Sequence, residues 1–181
     1  MAAPILVVSG PSGAGKTTVA RLVAASFEKS VHIKIDDYLC WIVNGWVDPW
    51  LPEATSQNEV VGVSVAASAT QFARGGYTVV VDGHLFPTGA EGMARMCRGR
   101  GIALHFVVLR PDLETCEARA AEREPGTGRF RADADLVRGS YSRFTRLGVY
   151  ESNVVDASSS PPEIAAALLT AFRSGRLAVQ A

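Results

Sequence analysis

The stretch Ile5-Leu-Val-Val-Ser-Gly10-Pro-Ser-Gly-Ala-Gly15-Lys16-Thr17-Thr18 decides how this chain is read. Its second part, Gly10 to Thr17, matches G-x-x-x-x-G-K-[ST] in full. Ahead of it lies a short β-branched run, and behind it a helical pattern places Val19, Leu22, Val23 and Phe27 on one side. The expected local structure is therefore strand, glycine-rich turn, helix. Such a turn brings backbone N–H groups close to phosphate oxygens, and the helix N-terminus behind it favours negative charge. In this reading Gly10, Ser12, Gly13, Ala14, Gly15, Lys16, Thr17 and Thr18 hold ATP. The Lys16 ammonium meets the β- and γ-phosphates, and the Thr17 hydroxyl sits on Mg²⁺. A glycine-rich turn without a ligand is the plainer alternative.

Working outward, further apolar runs appear at 31–35, 78–81 and 103–109, with a weaker one at 153–155. Runs apolar on both faces, separated by helical patterns, point to a parallel sheet covered by helices on each side. Three helices are expected to begin at capping boxes, Ser56/Glu59, Thr88/Glu91 and Ser160/Glu163. The first runs over 56–74 with Val61, Val65, Ser68 and Phe72 on one stripe and stops at Gly75-Gly76. Pro111 suits the first turn of a helix reaching about Arg123, and a further helix over 133–144 turns Leu136, Val137, Tyr141 and Phe144 to a common side. No repeat, linker or low-complexity tract divides the chain, so 1–181 reads as a single domain. Two long segments lack periodicity. One, within a substrate-binding stretch of about 38–58, holds Trp41, Trp46 and Trp50; the other, 124–132, is rich in Gly and Arg and reads as a lid.

Acidic residues follow the second and third strands. Ligands of open α/β sheets lie at the carboxyl ends of the strands, so Asp36 and Asp37 face the same rim as the glycine-rich turn. A carboxylate there accepts the proton of an attacking hydroxyl or holds Mg²⁺ through water. Placement favours Asp36 over Asp37 as the catalytic group, with both in contact with substrate. Asp82 ends the third strand and reads as a metal-binding carboxylate, or else as a turn residue before Gly83. His84 beside it is a weaker substrate contact. The tryptophan segment, with Trp50 and Gln57, is either a substrate wall or plain core packing.

The net charge is zero, 18 basic against 18 acidic residues, which argues against a nucleic-acid or membrane-surface partner. No secretory pattern opens the chain and no run is long enough to span a bilayer, so a cytoplasmic location is expected. Cys40, Cys97 and Cys116 lack metal-ligand spacing and read as free thiols. Position matters more than the total. One of only three lysines is Lys16, and eight of fifteen arginines fall between 110 and 146. Arg119 and Arg123 lie four apart on one helix face just before the lid that carries Arg129 and Arg131. An arginine-bearing lid would supply positive charge around a transferred phosphoryl group and exclude water.

With the phosphate loop, Asp36-Asp37-Tyr38, Asp82-Gly83, Val108-Leu-Arg-Pro111 and Arg119-x-x-x-Arg123 quoted, the chain resembles the small P-loop kinases over nearly its whole length. These include shikimate kinase, gluconate kinase, chloramphenicol phosphotransferase, nicotinamide riboside kinase and the adenylate-kinase-like enzymes, and the closest likeness is to the kinase-like AAA family ATPases. The resemblance implies a P-loop NTPase fold: a five-stranded parallel sheet, order 2-3-1-4-5, flanked by helices with an Arg-bearing lid. It implies Asp36 as base or as a metal or substrate contact, and Arg119, Arg123 and Arg129 on the nucleotide, Arg123 with a catalytic role. Adjacent aspartates stand where shikimate kinase has Asp-x-Asp, and no nucleoside-monophosphate signature is present. The expected activity is ATP- and Mg²⁺-dependent transfer of the γ-phosphoryl to a hydroxyl of a small metabolite or antibiotic, by a monomer or homodimer without nucleic-acid or membrane partners. The alternatives are a nucleoside or nucleotide kinase, and an ATP-binding switch or ATPase that is not a kinase.

Overall fold

The computed structural model describes residues 2–122 and 133–179. Five strands, β1 (Ile5–Ser9), β2 (Ser30–Lys34), β3 (Thr78–Asp82), β4 (Leu104–Leu109) and β5 (Val154–Val155), form one sheet in the order β2-β3-β1-β4-β5. Every pairing is parallel. The order expected from the resemblance is the order found. All residues of the central strands β1 and β4 are buried, because side chains alternate between two covered faces. Ile5, Val7, Val79, Val81, Phe106 and Val108 pack into one core, and Leu6, Val8, Val80, Val107 and Leu109 into the other.

The first core is closed by α3 (Thr55–Arg74) and α4 (Pro87–Arg98) through Val61, Val65, Ala69 and Met93. The second is closed by α1 (Lys16–Ala25) and α7 (Pro161–Arg173) through Val19, Val23, Leu168 and Phe172. Between β2 and α3 lies a short helix α2 (Ile35–Cys40), and α5 (Leu113–Ala121) and α6 (Ala134–Arg143) follow β4. The expected lid, 124–132 with Arg129 and Arg131, and Arg123 before it, lie outside the described residues.

Several local expectations are corrected. The second strand stops at Lys34, and Ile35 opens α2, with Asp36 and Asp37 in its first turn, where carboxylates complement the helix dipole. Of the three capping boxes only Ser160/Glu163 forms. At α3 the chain enters from a 3₁₀ turn, Pro52–Ala54, and the Thr55 hydroxyl donates to Pro52 O at 2.7 Å, so Ser56 is already inside the helix. At α4 the Glu91 carboxylate accepts from the Tyr150 hydroxyl at 3.2 Å instead of reaching back to Thr88, and Pro87 starts the helix. Asp112, not Pro111, sets the start of α5, its carboxylate accepting from Thr115 N at 2.7 Å. The buried stripe of α3 ends on Ala69 and Ala73 while Phe72 is exposed. Among the described residues, no helix is long and apolar enough to cross a membrane.

Candidate active site

The carboxyl ends of β1, β2, β3 and β4 deliver the glycine-rich turn, α2, the 83–86 turn and the approach to α5 to one edge of the sheet. The turn is held by close packing at its glycines. At Gly10 (φ 142) a Cβ would collide with the Leu109 carbonyl at the end of β4, and at Gly13 (φ 80) with the Cys116 carbonyl of α5. Only glycine fits this conformation and this approach together. Ala14 is fully buried and Ala14 N donates to Pro11 O at 3.3 Å, which closes the loop on itself.

Lys16 and Thr17 then open α1, preceded by Gly15 in the left-handed conformation. The Lys16 ammonium donates to Pro11 O at 2.8 Å, folded back over the loop it serves. Thr18 is exposed on the first turn. The Thr17 hydroxyl faces Asp82 Oδ1 at 3.4 Å. Asp82 is only 4% exposed, and its other oxygen, Oδ2, lies 2.7 Å from His32 Nε2. Thr17 and Asp82, each expected separately as a metal contact, lie side by side; the His32 contact was not expected.

From the opposite side α5 presses on the loop. A Cβ on Gly15 would lie 3.8 Å from Arg119 Nη1, and the same nitrogen donates to Ala157 O at 2.9 Å, in the segment after β5. Arg119 thus joins the phosphate loop to that segment. On the same helix, burial pushes the Cys116 thiol up to about 11, against the charges of Lys16 and Arg119. It is a packing residue, not a nucleophile.

Asp36 and Asp37 separate in the structure. Asp37 is exposed and accepts from Lys34 Nζ at 2.9 Å, and that hydrogen bond more than any other influence holds the lysine above its ordinary value. Asp36 is half-buried, next to Ile35, whose side chain touches the Gly83 turn at the end of β3. The Ser9 hydroxyl, at the end of β1, donates to Leu85 O at 2.7 Å and accepts from Leu85 N at 3.0 Å, tying the 83–86 turn to the start of the phosphate loop. His84 therefore sits at the loop: its Nε2 is 3.4 Å from Ser12 Oγ and 3.1 Å from Ser140 Oγ of α6. Ser12 N in turn donates to Ser140 Oγ at 3.0 Å. Ser140 carried no signal in the sequence.

The tryptophan segment divides: Trp46 is partly buried and packs against the core, as one of the two readings expected. Trp41 and Trp50 are 67% and 41% exposed. Gln57 uses both ends of its amide on the Val47 backbone, at 2.9 and 2.7 Å, and so straps the segment to α3. A cavity of about 560 Å³ lies between α2 and α3, lined by Tyr38, Trp41, Gln57, Val61 and neighbours. Its one α2 residue, Tyr38, lies two positions and so about 200° round the helix from Asp36. Lys16, Thr17 and Asp82 thus gather at the phosphate loop, with Asp36 in the first turn of the neighbouring helix α2.

Mg²⁺ takes oxygen ligands, uses few from the protein and leaves the rest to phosphates and water. The Thr17 hydroxyl and the buried Asp82 carboxylate fit that donor set, and no group of three or more His, Cys, Asp or Glu among the described residues offers another.

Solved structures with this fold include a sugar kinase from Janibacter sp. HTCC2649, 21% identical, with 98% of this chain and 99% of that chain covered and a TM-score of 0.70. The APS kinase CysC of Mycobacterium tuberculosis, solved with AMPPNP and APS, is 19% identical over 95% of this chain and 98% of its own, TM-score 0.67. Shikimate kinase from Acinetobacter baumannii, solved with shikimate, is 19% identical over 97% and 96%, TM-score 0.63. No curated protein matches the chain. The AAA domain family model matches residues 5–147, which take in the phosphate loop, Asp36, Asp82 and helices α1 to α6, and the chain belongs to that family of P-loop proteins.

Proposed function

We propose that the protein is an ATP- and Mg²⁺-dependent small-molecule kinase that transfers the γ-phosphoryl group to a hydroxyl of a metabolite or antibiotic. The observation that carries this reading is the convergence at one sheet edge of a complete phosphate loop, a buried carboxylate beside its threonine, and a second carboxylate, Asp36, on the helix touching the turn after Asp82. A nucleotide-binding switch needs the first two. Asp36 adds a group that can work on an acceptor.

In the proposed reaction the backbone N–H groups of 12–17 and the Lys16 ammonium hold the β- and γ-phosphates, and Arg119 lies on the nucleotide side between Gly15 and Ala157. Thr17 and Asp82 would hold Mg²⁺, which supplies positive charge to the β- and γ-oxygens when bound. Asp36 orients the acceptor hydroxyl and takes its proton as the acceptor oxygen bonds to the γ-phosphorus. The bond to the bridging oxygen breaks and ADP leaves. Arg123 and Arg129 of the expected lid are assigned to the transferred group on the sequence argument alone. His84, Asp37, Trp50 and Gln57 are assigned to the acceptor side, Gln57 through the segment it straps.

The test is ADP release from the purified protein against a panel of sugars, cyclitols, nucleosides and hydroxyl-bearing antibiotics. Acceptor-stimulated release is expected for one class, and a nucleoside hit would select the nucleoside-kinase alternative. Asp36→Asn then loses turnover by orders of magnitude with ADP affinity nearly intact. Normal turnover in that variant removes Asp36 from its role, and release that no acceptor stimulates favours the switch or ATPase.

A further inference from the structure

We infer that His32 is a positioning residue for the metal site: it orients the Asp82 carboxylate so that one oxygen is presented to Thr17 and the Mg²⁺ held there. The inference rests on the reading of Asp82 as a metal contact and extends it to a residue on another strand.

The sheet register makes the contact possible. In the β2–β3 pairing Lys34 lies opposite Asp82 and His32 opposite Val80, so His32 and Lys34 share a face of the edge strand. That face is the one turned toward the core that contains α1, since Val80 packs there. Val31 and Ile33, between them, pack into the other core. His32 thus reaches forward along β3 to the last strand residue, and its Nε2 meets Asp82 Oδ2 at 2.7 Å. An ionised carboxylate only accepts, so Nε2 carries the hydrogen and donates it.

The two oxygens of Asp82 are held unequally. Oδ2 has a short contact with the imidazole, whereas Oδ1 faces the Thr17 hydroxyl at the long distance of 3.4 Å. The side-chain torsion that rotates a carboxylate is broad, so burial alone does not fix the plane in which its two oxygens lie. The His32 contact fixes that plane, with one oxygen on the imidazole and the other toward Thr17. Partners of this kind behind a metal ligand fix its orientation, and removing one typically costs about 10- to 100-fold in metal affinity. Only 18% of the His32 side-chain surface is exposed, so the contact is sheltered from competing water.

The experiment titrates Mg²⁺ into the protein–ADP complex by calorimetry for the wild type, His32→Leu, His32→Gln and Asp82→Asn, with ADP binding in excess chelator measured alongside. His32→Leu keeps bulk and removes the donor; His32→Gln restores an N–H of similar reach. The expected result is an Mg²⁺ affinity about 10-fold or more weaker in His32→Leu, partly recovered in His32→Gln, with chelator-treated ADP affinity unchanged in both. If Asp82→Asn weakens Mg²⁺ binding while His32→Leu leaves it within about 2-fold, the positioning role is wrong and the metal reading stands. If Asp82→Asn has no effect on Mg²⁺ binding, the metal reading itself falls. A loss of metal-free ADP affinity in His32→Leu equal to its loss of Mg²⁺ affinity, or no recovery in His32→Gln, marks a purely structural role and overturns the inference. Should His32→Leu fail to fold, His32→Asn, which keeps a shorter N–H donor, replaces it and must fall between wild type and Asp82→Asn.

Discussion

Gly83→Ala tests whether the turn after β3 sets the position of the proposed base. Gly83 has φ 154, and a Cβ there would lie 2.7 Å from Ile35 Cβ and 2.8 Å from both Ile35 Cγ1 and Cδ1. Ordinary contact begins near 3.4 Å, so Ile35 and the turn must separate by 3.4 − 2.7, or 0.7 Å, at least. Because the nearest atom is Cβ, a change of rotamer cannot relieve the clash, and the backbone of α2 has to move. Forcing extra volume into packed surroundings costs about 1–3 kcal/mol. Holding a residue with a side chain in a glycine-only backbone region adds a cost of the same order, about 1–3 kcal/mol. The expected loss in urea-unfolding free energy is therefore roughly 2–6 kcal/mol for Gly83→Ala. Gly101→Ala serves as the control, since that glycine has φ 64 but nothing within 4 Å. It should lose only the backbone contribution, about 1–2 kcal/mol. Asp36 follows Ile35 directly, and misplacing a reacting group by about 1 Å costs on the order of 100-fold in rate, so turnover with an identified acceptor should fall by that order in folded Gly83→Ala. ADP affinity should change little. A variant that unfolds like Gly101→Ala and turns over like the wild type would refute the link between Gly83, Ile35 and Asp36.

Two further outcomes follow from buried polar groups. Asn153 is buried and its Nδ2 donates to Phe106 O at 2.7 Å, so Asn153→Ala, which strands that carbonyl, should lose about 1–3 kcal/mol in urea unfolding; an unchanged midpoint would show that water or another donor takes its place. Burial holds the His105 imidazole below its ordinary value of 6.5, and its Nδ1 has no partner among the described residues. The unfolded chain then takes up this proton first, so stability should be complete above pH 6.5 and decline as pH falls from there toward the lower folded value. In His105→Phe that part of the decline should vanish, and an identical pH profile for the two proteins would contradict the assignment.

What could be read from the sequence depended on whether the signal was contiguous. The phosphate loop occupies one short run, and β1, β3 and β4 are built round apolar runs because both their faces are covered, so the fold was legible from local pattern plus resemblance. Asp82 was legible as a strand-end carboxylate. Helix α2 was not, since six residues are too few for a helical period to show, and Ile35 looks like one more strand residue. The Thr88/Glu91 box failed for a different reason: the tyrosine that engages Glu91 lies 59 residues away, and no local rule anticipates it. His32 and Ser140 were missed in the same way. Each is an unremarkable polar residue in its own element, and each acquires its place only because the topology brings it, across 50 and 128 residues, to Asp82 and to the backbone of Ser12.

The neutral total charge hides an uneven placement around the phosphate loop. Lys16 and Arg119 lie on the loop and α5, while the buried Asp82 faces Thr17 and Asp36 lies in the first turn of α2, with Lys34 near enough to feel both carboxylates. In the proposed mode of binding, a phosphate in the loop meets the Lys16 cation and, beside Thr17, the Asp82 carboxylate. Two like charges about 5 Å apart repel by roughly 3 kcal/mol at an effective dielectric near 20. Without a divalent ion, Asp82 should oppose nucleotide binding; with one, the same carboxylate should favour it. Asp82→Asn separates these effects, since it removes the charge and keeps an oxygen on the same stem. In excess chelator it should bind ADP more tightly than the wild type, by about 10-fold or more if half of that repulsion is felt, whereas in saturating Mg²⁺ it should bind more weakly. Calorimetry under the two conditions gives both numbers. Weaker binding by Asp82→Asn in chelator as well would place the phosphates out of reach of the carboxylate, and Asp82 would then be a packing and hydrogen-bonding partner of Thr17 and His32 alone.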